Sequence, residues 1–357
     1  MSDHDQSWVN TVVRIPVYSD GWIESWQDVV QFLYAFRPDP LYHSVTFDVR
    51  EGVSLTETGV TNLIQRWQHS TGYPDSQILL RCGNTMEQLP WRNVKHGVNM
   101  NFFNQARVYH RRLPVQPDAK RFAMFVGRLT IERLCVMYDM ARQFADQCLI
   151  SHLQQPENLP MTFVCSWPEW QPKQRDEAVW RQYIQDNSVC DWYRNHTPAS
   201  IDNAKATDQY TSMSADHTHN RLHAALLPHY DKFFIELVAE TMLYGNTFWP
   251  TEKIARPLAA AKPFVCFAAP GFVQRLRCLG FQTFDSLWDE SYDNLQGRAR
   301  WLAIQDVVTK LAALDDQCFA DLMHEAQQIA DHNYEVLLNN FPIYNRDLDS
   351  RLQAIYH

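Results

Sequence analysis

The chain has 357 residues, of which 45% are apolar, and it carries a formal net charge of −9. This length is enough for two domains with separate cores, and the acidic balance excludes a surface that binds polyanions over its whole extent. The longest apolar runs are far shorter than a membrane span, and the polar residues 1–6 lack the regions of a signal peptide. We therefore expect a cytoplasmic protein without a membrane span.

Residues 1–115 have the pattern of a first α/β domain. Short runs rich in β-branched residues alternate with stretches of helical periodicity. We expect strands over 11–17, 44–49 and 77–82 and helices over 23–36 and 58–69. Strands that alternate with helices imply a parallel sheet, and the carboxyl ends of its strands line one crevice.

Residues 116–315 have the pattern of a second α/β domain, which follows a proline-containing linker over 113–118. We expect strands over 120–126, 161–165, 233–240 and 263–267 and helices over 130–147 and 251–261. The poorly patterned segment 186–230 predicts a long loop with short helices. Pro257 predicts that the helix which contains it is short or kinked.

The C-terminal region is helical in pattern. Apolar positions recur with helical spacing over 299–314 and 318–339, and a last short helix is expected over 347–356. We assign residues 316–357 to helices that pack across both domains.

The segment 231–293 carries the most informative pattern for function. An apolar run ends at Glu240, and a helix begins at Thr251 with Glu252 and Lys253 in its first turn. A crossover helix between parallel strands begins beside the carboxyl end of the first strand, where α/β sheets bind ligands. The N–H groups at this helix start and Lys253 suit a diphosphate, and the two glutamates could accept hydrogen bonds from ribose hydroxyls. The spacing fits equally well with solvated charges and a capping role for Glu240.

The run from Glu240-Thr241 to Thr251-Glu252-Lys253 resembles the nucleotide-sugar motif of fucosyltransferase-like GT-B glycosyltransferases. In that motif a strand ends in Phe-Glu-Asn, and Ile-Thr-Glu-Lys opens the next helix. In this chain Ala239 stands in place of the Phe and Thr241 in place of the Asn, which leaves the donor undecided. The stretch through Gly280-Phe281 and 289–293 is also similar to phage-encoded glycosyltransferases.

The resemblance implies a GT-B-like α/β fold, in which two Rossmann-like domains face each other across a cleft and C-terminal helices brace them. It also implies an enzyme that transfers a sugar from a nucleotide diphosphate-sugar donor to a hydroxyl acceptor. Enzymes of this type usually work without a metal ion, and we expect no cofactor beyond the donor substrate.

A second candidate for diphosphate binding lies at Gly127-Arg128, between the strand over 120–126 and the helix that follows. An Arg binds phosphate oxygens bidentately, and GT-B relatives often have an Arg at the start of the C-terminal domain. The resemblance extends best to Arg128 and less closely to Arg133. A surface pair at a helix start is the alternative.

Inverting transfer needs a general base on the acceptor hydroxyl. Glu51 is our first candidate and Asp48 the second, because both lie near the end of a strand in the first domain. A turn-forming Glu51 before Gly52 fits the spacing equally well.

Three further groups of residues have weaker signals. Asp216, His217, His219 and His223 have metal-ligand residue types but lie in a loop-like sequence, so we expect no metal site. Asp289, Glu290 and Asp293 predict either a capped helix start or a donor-site or hinge role. Eight cysteines without a Cys-x-x-Cys pair favour reduced thiols.

The sequence does not decide which class of acceptor receives the sugar. The phage-type proteins suggest a hydroxymethylated pyrimidine in DNA, which requires a basic strip on the surface. Its candidate residues are Arg92, Lys95, Arg107, His110, Arg111 and Arg112. A surface or lipid-linked glycan is the other acceptor class, and a non-catalytic nucleotide-binding scaffold is the alternative to an enzyme.

Overall fold

The structure of the chain is a computed structural model. It describes residues 9–14, 26–40, 43–49, 55–56, 59–82, 89–96, 103, 106, 110, 112–126, 130–152, 171–195, 226, 229–240, 242–245 and 247–340. The chain divides into two compact units. Unit 1 comprises Met1–Asn99, Val164–Gln174 and Tyr244–Trp249, and unit 2 comprises Met100–Phe163, Arg175–Leu243 and Pro250–His357. The main segment of unit 1 thus ends at Asn99, whereas the sequence analysis places the domain boundary after residue 115.

Unit 1 contains a parallel sheet of four strands in the order β1-β2-β3-β4. The strands are β1 (Val9–Arg14), β2 (His43–Val49), β3 (Ile78–Cys82) and β4 (Val94–His96), and the helices are α1 (Trp26–Ala35) and α2 (Val60–Thr71). Helix α2 turns Val60, Ile64 and Trp67 inward at helical spacing, and it ends where Gly72 adopts a left-handed conformation.

Unit 2 contains a second four-stranded parallel sheet, in the order β6-β5-β7-β8. Its strands are β5 (Lys120–Val126), β6 (Cys148–His152), β7 (Phe233–Ala239) and β8 (Phe264–Phe267). The chain leaves β5 toward β6 on one side and continues with β7 and β8 on the other side. The reversal between β5 and β7 is a topological switch point, and ligands of open α/β sheets bind at the carboxyl ends of the strands there.

The helices of the remaining chain lie between and after these strands. They are α3 (Ile131–Gln143), α4 (Gln171–Asp186), α5 (Val189–Asn195), α6 (Glu252–Ala259), α7 (Phe272–Cys278), α8 (Gly297–Ala313) and α9 (Asp316–Asn340). Pro257 lies in α6, which ends two residues later, so the predicted short helix is present. Helix α9 packs against α6 within unit 2.

The predicted α/β class with parallel sheets is confirmed. Strands β4 and β6 were not predicted, and the helix predicted over 130–147 ends at Gln143. The predicted strand over 161–165 and helix over 347–356 lie outside the described residues. In the described part of the chain, no helix is long and apolar enough to cross a membrane.

Candidate functional site

Helices α3 and α6 begin at the carboxyl edge of the sheet in unit 2, on the two sides of the switch point. Thr130 is the N-cap of α3 and accepts a hydrogen bond from the N–H of Arg133 over 3.3 Å. Thr251 is the N-cap of α6 and accepts a hydrogen bond from the N–H of Lys253 over 3.2 Å. The parallel order of β5 and β7 therefore brings two helix starts, and the charged residues of their first turns, to one edge.

Glu240, the residue after β7, is fully buried and bound to the start of α6. Its Oε1 accepts hydrogen bonds from the N–H groups of Thr251 and Ile254 over 3.1 and 3.2 Å. Its Oε2 accepts a hydrogen bond from the hydroxyl of Thr251 over 2.6 Å. Glu240 is thus a capping group of α6, one of the two interpretations that the sequence allowed.

Lys253 is a buried lysine, with 9% of its side chain exposed. Its Nζ donates to Glu252 Oε1 over 2.6 Å and to Thr251 Oγ1 over 3.2 Å. Burial lowers the pKa of Lys253, and the nearby charge of Arg133 lowers it further, while Glu252 and Glu240 oppose the shift. The amine therefore lies among charged groups at the sheet edge.

Arg133 completes this group from the α3 side. It is 3% exposed, and its Nη2 donates to the backbone carbonyl of Glu240 over 2.8 Å. This hydrogen bond joins the first turn of α3 to the end of β7. We call the five residues the switch-point cluster: Arg133, Glu240, Thr251, Glu252 and Lys253.

The structure brings five of the predicted donor-site residues together in this cluster. Their binding of a donor stays a prediction. Arg128 and Glu51 lie outside the described residues, so their roles are also predictions. Asp48 lies one residue before the end of β2 in unit 1, is 7% exposed and stands in register with Arg81 of β3.

A second buried ionic group lies between strand β7 and helix α6. Glu236 of β7 is fully buried and accepts hydrogen bonds from Arg256 Nη2, over 2.9 Å, and from the hydroxyl of Tyr230. Burial raises the pKa of Glu236, and the charge of Arg256 opposes that shift. This pair was not predicted. A Glu inside an apolar strand is nevertheless a signal in the sequence, because a buried carboxylate requires a partner.

The acidic cluster after α7 has a structural role. Asp293 accepts hydrogen bonds from the N–H groups of Val273 and Gln274 over 3.0 Å each, at the start of α7. Arg300, with 0% exposure, donates to Asp293 Oδ1 over 3.0 Å. This arrangement matches the capped helix start, one of the two interpretations that the sequence allowed.

Its neighbours Glu290 and Asp289 also bind within the protein. Glu290 accepts from the N–H of Phe284 over 3.0 Å and from Arg277 over 2.7 Å, and Asp289 accepts from the N–H of Ser291 over 2.8 Å.

The predicted basic strip is described in part. In unit 1, Arg92 is exposed and lies 3.6 Å from Asp75. In unit 2, Arg112 pairs with Asp331 over 3.2 Å and lies 4.8 Å from the ring centroid of Tyr334. Arg107 and Arg111 lie outside the described residues, and the side chain of Lys95 is not described. His110 stacks edge-on against the ring of Tyr334 at 5.7 Å.

The predictions about metals and thiols can be compared with the structure only for the described residues. The histidines between 216 and 223 lie outside the described residues. Among the residues that are described, no group of three His, Cys, Asp or Glu side chains could hold a metal ion. The described cysteines form no disulfide with one another; Cys278 and Cys318 are exposed, and four others are buried.

No family model and no curated protein match the chain. A solved structure, the crystal structure of an α,α-trehalose-phosphate synthase (UDP-forming) from Burkholderia vietnamiensis, is similar at 12% identity with a TM-score of 0.42, over 92% of this chain and 71% of that chain.

Proposed function

We propose that the chain is a GT-B glycosyltransferase that moves a sugar from a nucleotide diphosphate-sugar to a hydroxyl acceptor without a metal ion. One observation carries the proposal: two cationic side chains, Arg133 and Lys253, are buried at the switch point of a parallel sheet. Glu252 already pairs with Lys253 over 2.6 Å, so the proposal rests on where the two cations lie, at the sheet edge where α/β folds bind ligands. The motif around Lys253, which resembles that of fucosyltransferase-like enzymes, supports a diphosphate as the ligand.

The switch-point cluster is formally neutral, because Glu240 and Glu252 balance Arg133 and Lys253, but burial still disfavours the charged amine of Lys253. The carboxylate of Glu240 already accepts three hydrogen bonds at the start of α6. Lys253 has a lowered pKa even with Glu240 and Glu252 beside it. A diphosphate near the amine would therefore stabilise the charged form of Lys253, and the charged amine would in turn strengthen the binding of the diphosphate. Since Glu240 and Thr251 occupy much of the start of α6, the cationic side chains contribute more to this binding than the backbone amides.

During transfer, the bond between the anomeric carbon and a diphosphate oxygen breaks, and the leaving diphosphate gains negative charge. Lys253 and Arg133 would stabilise that charge in the transition state, and Arg128 is a further candidate for the same role. Glu252, which is partly exposed, would accept a hydrogen bond from a ribose hydroxyl.

The acceptor hydroxyl must lose a proton to a general base, for which Glu51 is the first candidate and Asp48 the second. We expect Glu51→Gln to abolish transfer and to leave donor affinity unchanged. Unchanged turnover would remove Glu51 from the mechanism, and Asp48→Asn would then be tested in the same way.

The proposal is tested by isothermal titration of the full chain with UDP- and GDP-sugars, followed by chromatography for released UDP or GDP. We expect one donor to bind and to be hydrolysed or transferred. Binding without release of nucleotide would favour the non-catalytic scaffold. Failure to bind any nucleotide would overturn the proposal.

The acceptor needs a separate experiment, since modified DNA and a glycan are different classes of partner. Binding to duplex DNA through a basic strip would weaken steeply as salt concentration rises. Retention of the chain on a duplex DNA column at low salt, and its loss at high salt, would support DNA. No retention at low salt would favour a glycan acceptor.

A further inference from the structure

We infer that Glu240 is a positioning residue, which fixes the amine of Lys253 through the hydroxyl of Thr251 and does not itself contact the ribose. The inference rests on the proposed function for its ligand, a nucleoside diphosphate. It assigns to Glu240 an indirect role in donor binding.

The direction of the hydrogen bonds around Thr251 follows from the chemistry of the groups. A carboxylate only accepts, so the single hydroxyl hydrogen of Thr251 is donated to Glu240 Oε2, at 2.6 Å. The lone pairs of the hydroxyl oxygen then point elsewhere, and they accept from the N–H and the Nζ of Lys253, each at 3.2 Å. Glu240 thereby orients the oxygen that holds the amine.

The position of Glu240 argues against direct contact with a ligand. It is 0% exposed, and its other oxygen, Oε1, accepts hydrogen bonds from the N–H groups of Thr251 and Ile254. A ribose hydroxyl would have to displace α6 from this carboxylate, which would leave buried N–H groups without their acceptor.

The amine of Lys253 is fixed by two side chains. Glu252 Oε1 lies 2.6 Å from Nζ and Thr251 Oγ1 lies 3.2 Å from it. The contact with Thr251 therefore constrains where the amine lies relative to Glu252. Without the hydroxyl, the amine would pivot around Glu252, and its alignment with a phosphoryl oxygen would be lost.

Three variants of the full chain separate positioning from direct binding. Thr251→Val removes the hydroxyl at similar volume, Thr251→Ser retains it, and Glu240→Gln removes the charge that orients it. Affinities for GDP and UDP are compared with affinities for guanosine and uridine by isothermal titration. Circular dichroism checks that each variant is folded.

We expect Thr251→Val and Glu240→Gln to weaken binding of the nucleoside diphosphate about tenfold, the effect of about 1.4 kcal/mol, and to leave nucleoside binding unchanged. Thr251→Ser should bind like the wild type. The inference is overturned if Glu240→Gln weakens nucleoside binding as much as diphosphate binding. A side chain that contacts the ribose would affect both ligands equally.

A second readout needs no nucleotide. Lys253 in Thr251→Val is expected to react several-fold faster with an amine-acylating reagent than in the wild type or Thr251→Ser, as measured by mass spectrometry of its peptide. Equal rates in all three proteins would contradict the inference. A wild type that binds neither GDP nor UDP removes the proposed function, and the acylation rates then still decide the role of Thr251.

Discussion

Glu240 and Asp293 are carboxylates that cap consecutive helices of unit 2, α6 and α7. Each accepts hydrogen bonds from two backbone N–H groups near the start of its helix. Each also has a buried cationic residue close by, Lys253 for Glu240 and Arg300 for Asp293. The two arrangements therefore share their capping chemistry, and the difference between them lies in the cation.

Arg300 donates to main-chain carbonyls as well as to a carboxylate. Its acceptors are Asp293 Oδ1 and the carbonyl oxygens of Ala269, Asp293 and Cys266, at 3.0 to 3.2 Å. The amine of Lys253 donates to two side chains, those of Thr251 and Glu252. Backbone carbonyls hold Arg300 in a fixed place, whereas side chains at a sheet edge can rearrange. Arg133 of the switch-point cluster is intermediate, since its Nη2 donates to the carbonyl of Glu240 over 2.8 Å. A capped helix start is thus not evidence of a site, and the partners of the cation distinguish the two cases.

The largest effect is expected where the cation binds the backbone. Arg300→Met should lower the free energy of unfolding by about 3–5 kcal/mol, because a buried carboxylate and three carbonyls lose their donor together. Urea unfolding followed by tryptophan fluorescence measures this loss. Lys310→Met, an exposed substitution on the same helix α8, is the control and should unfold like the wild type. A loss for Arg300→Met as small as that of the control would contradict the structural role.

The second-largest effect is expected for Lys253, the other cation of the comparison. Lys253→Met should weaken nucleoside diphosphate binding by about ten- to a hundredfold, the range of a lost charged hydrogen bond. Its loss of stability should be smaller than that of Arg300→Met, because Glu252, the partner left behind, is partly exposed. Lys262→Met is a matched control, because Lys262 is also a buried lysine of unit 2 but donates to the carbonyl of Phe233, at the first residue of β7. Isothermal titration with GDP and UDP measures the difference. Equal losses of affinity in both variants would mean that general destabilisation, and not the loss of a phosphate contact, weakens binding.

The elements around the switch point were predictable from sequence because each has a strong local signal. The apolar runs of β5, β7 and β8 and the Thr251 cap define strands and a helix without knowledge of the tertiary structure. Strand β4 has only three residues, two of them Lys95 and His96, so no apolar pattern marks it. Strand β6 starts soon after α3, and the helical pattern was extended across the turn between them.

The residues of the candidate site could be predicted, but not their partners. Alternating strands and helices are enough to bring Arg133 and Lys253 to one sheet edge. Whether Glu240 faces a ligand or the start of α6 depends on the path of the residues between β7 and Thr251, and local pattern does not determine that path. The pair of Glu236 and Arg256 was missed for the same reason, since their contact depends on how α6 lies across the sheet.

A smaller effect follows from the chemistry of lysine, which can lose its proton where arginine cannot. Burial lowers the pKa of Lys262 to about 8, with Asp231 opposing the shift. Between this value and the ordinary lysine pKa the unfolded chain binds the proton and the folded chain does not, so stability rises with pH. The stability of the wild type minus that of Lys262→Met should increase by about 1 kcal/mol from pH 8 to pH 9. A flat difference across this range in urea unfolding would mean that the amine stays charged.

The smallest effect is expected for a cation at the surface. Arg112 is half-exposed, pairs with Asp331 over 3.2 Å and lies over the ring of Tyr334. Solvent screens the ion pair, so Arg112→Ala should cost only about 0.5–1 kcal/mol of stability, most of it from the contact with the ring. Arg112→Lys, which keeps the charge and loses the planar group, should recover only part of that loss. If raising the salt concentration removed the whole effect of Arg112→Ala on urea unfolding, the ion pair and not the ring would be its source. The effect would still be smaller than those expected for the buried cations.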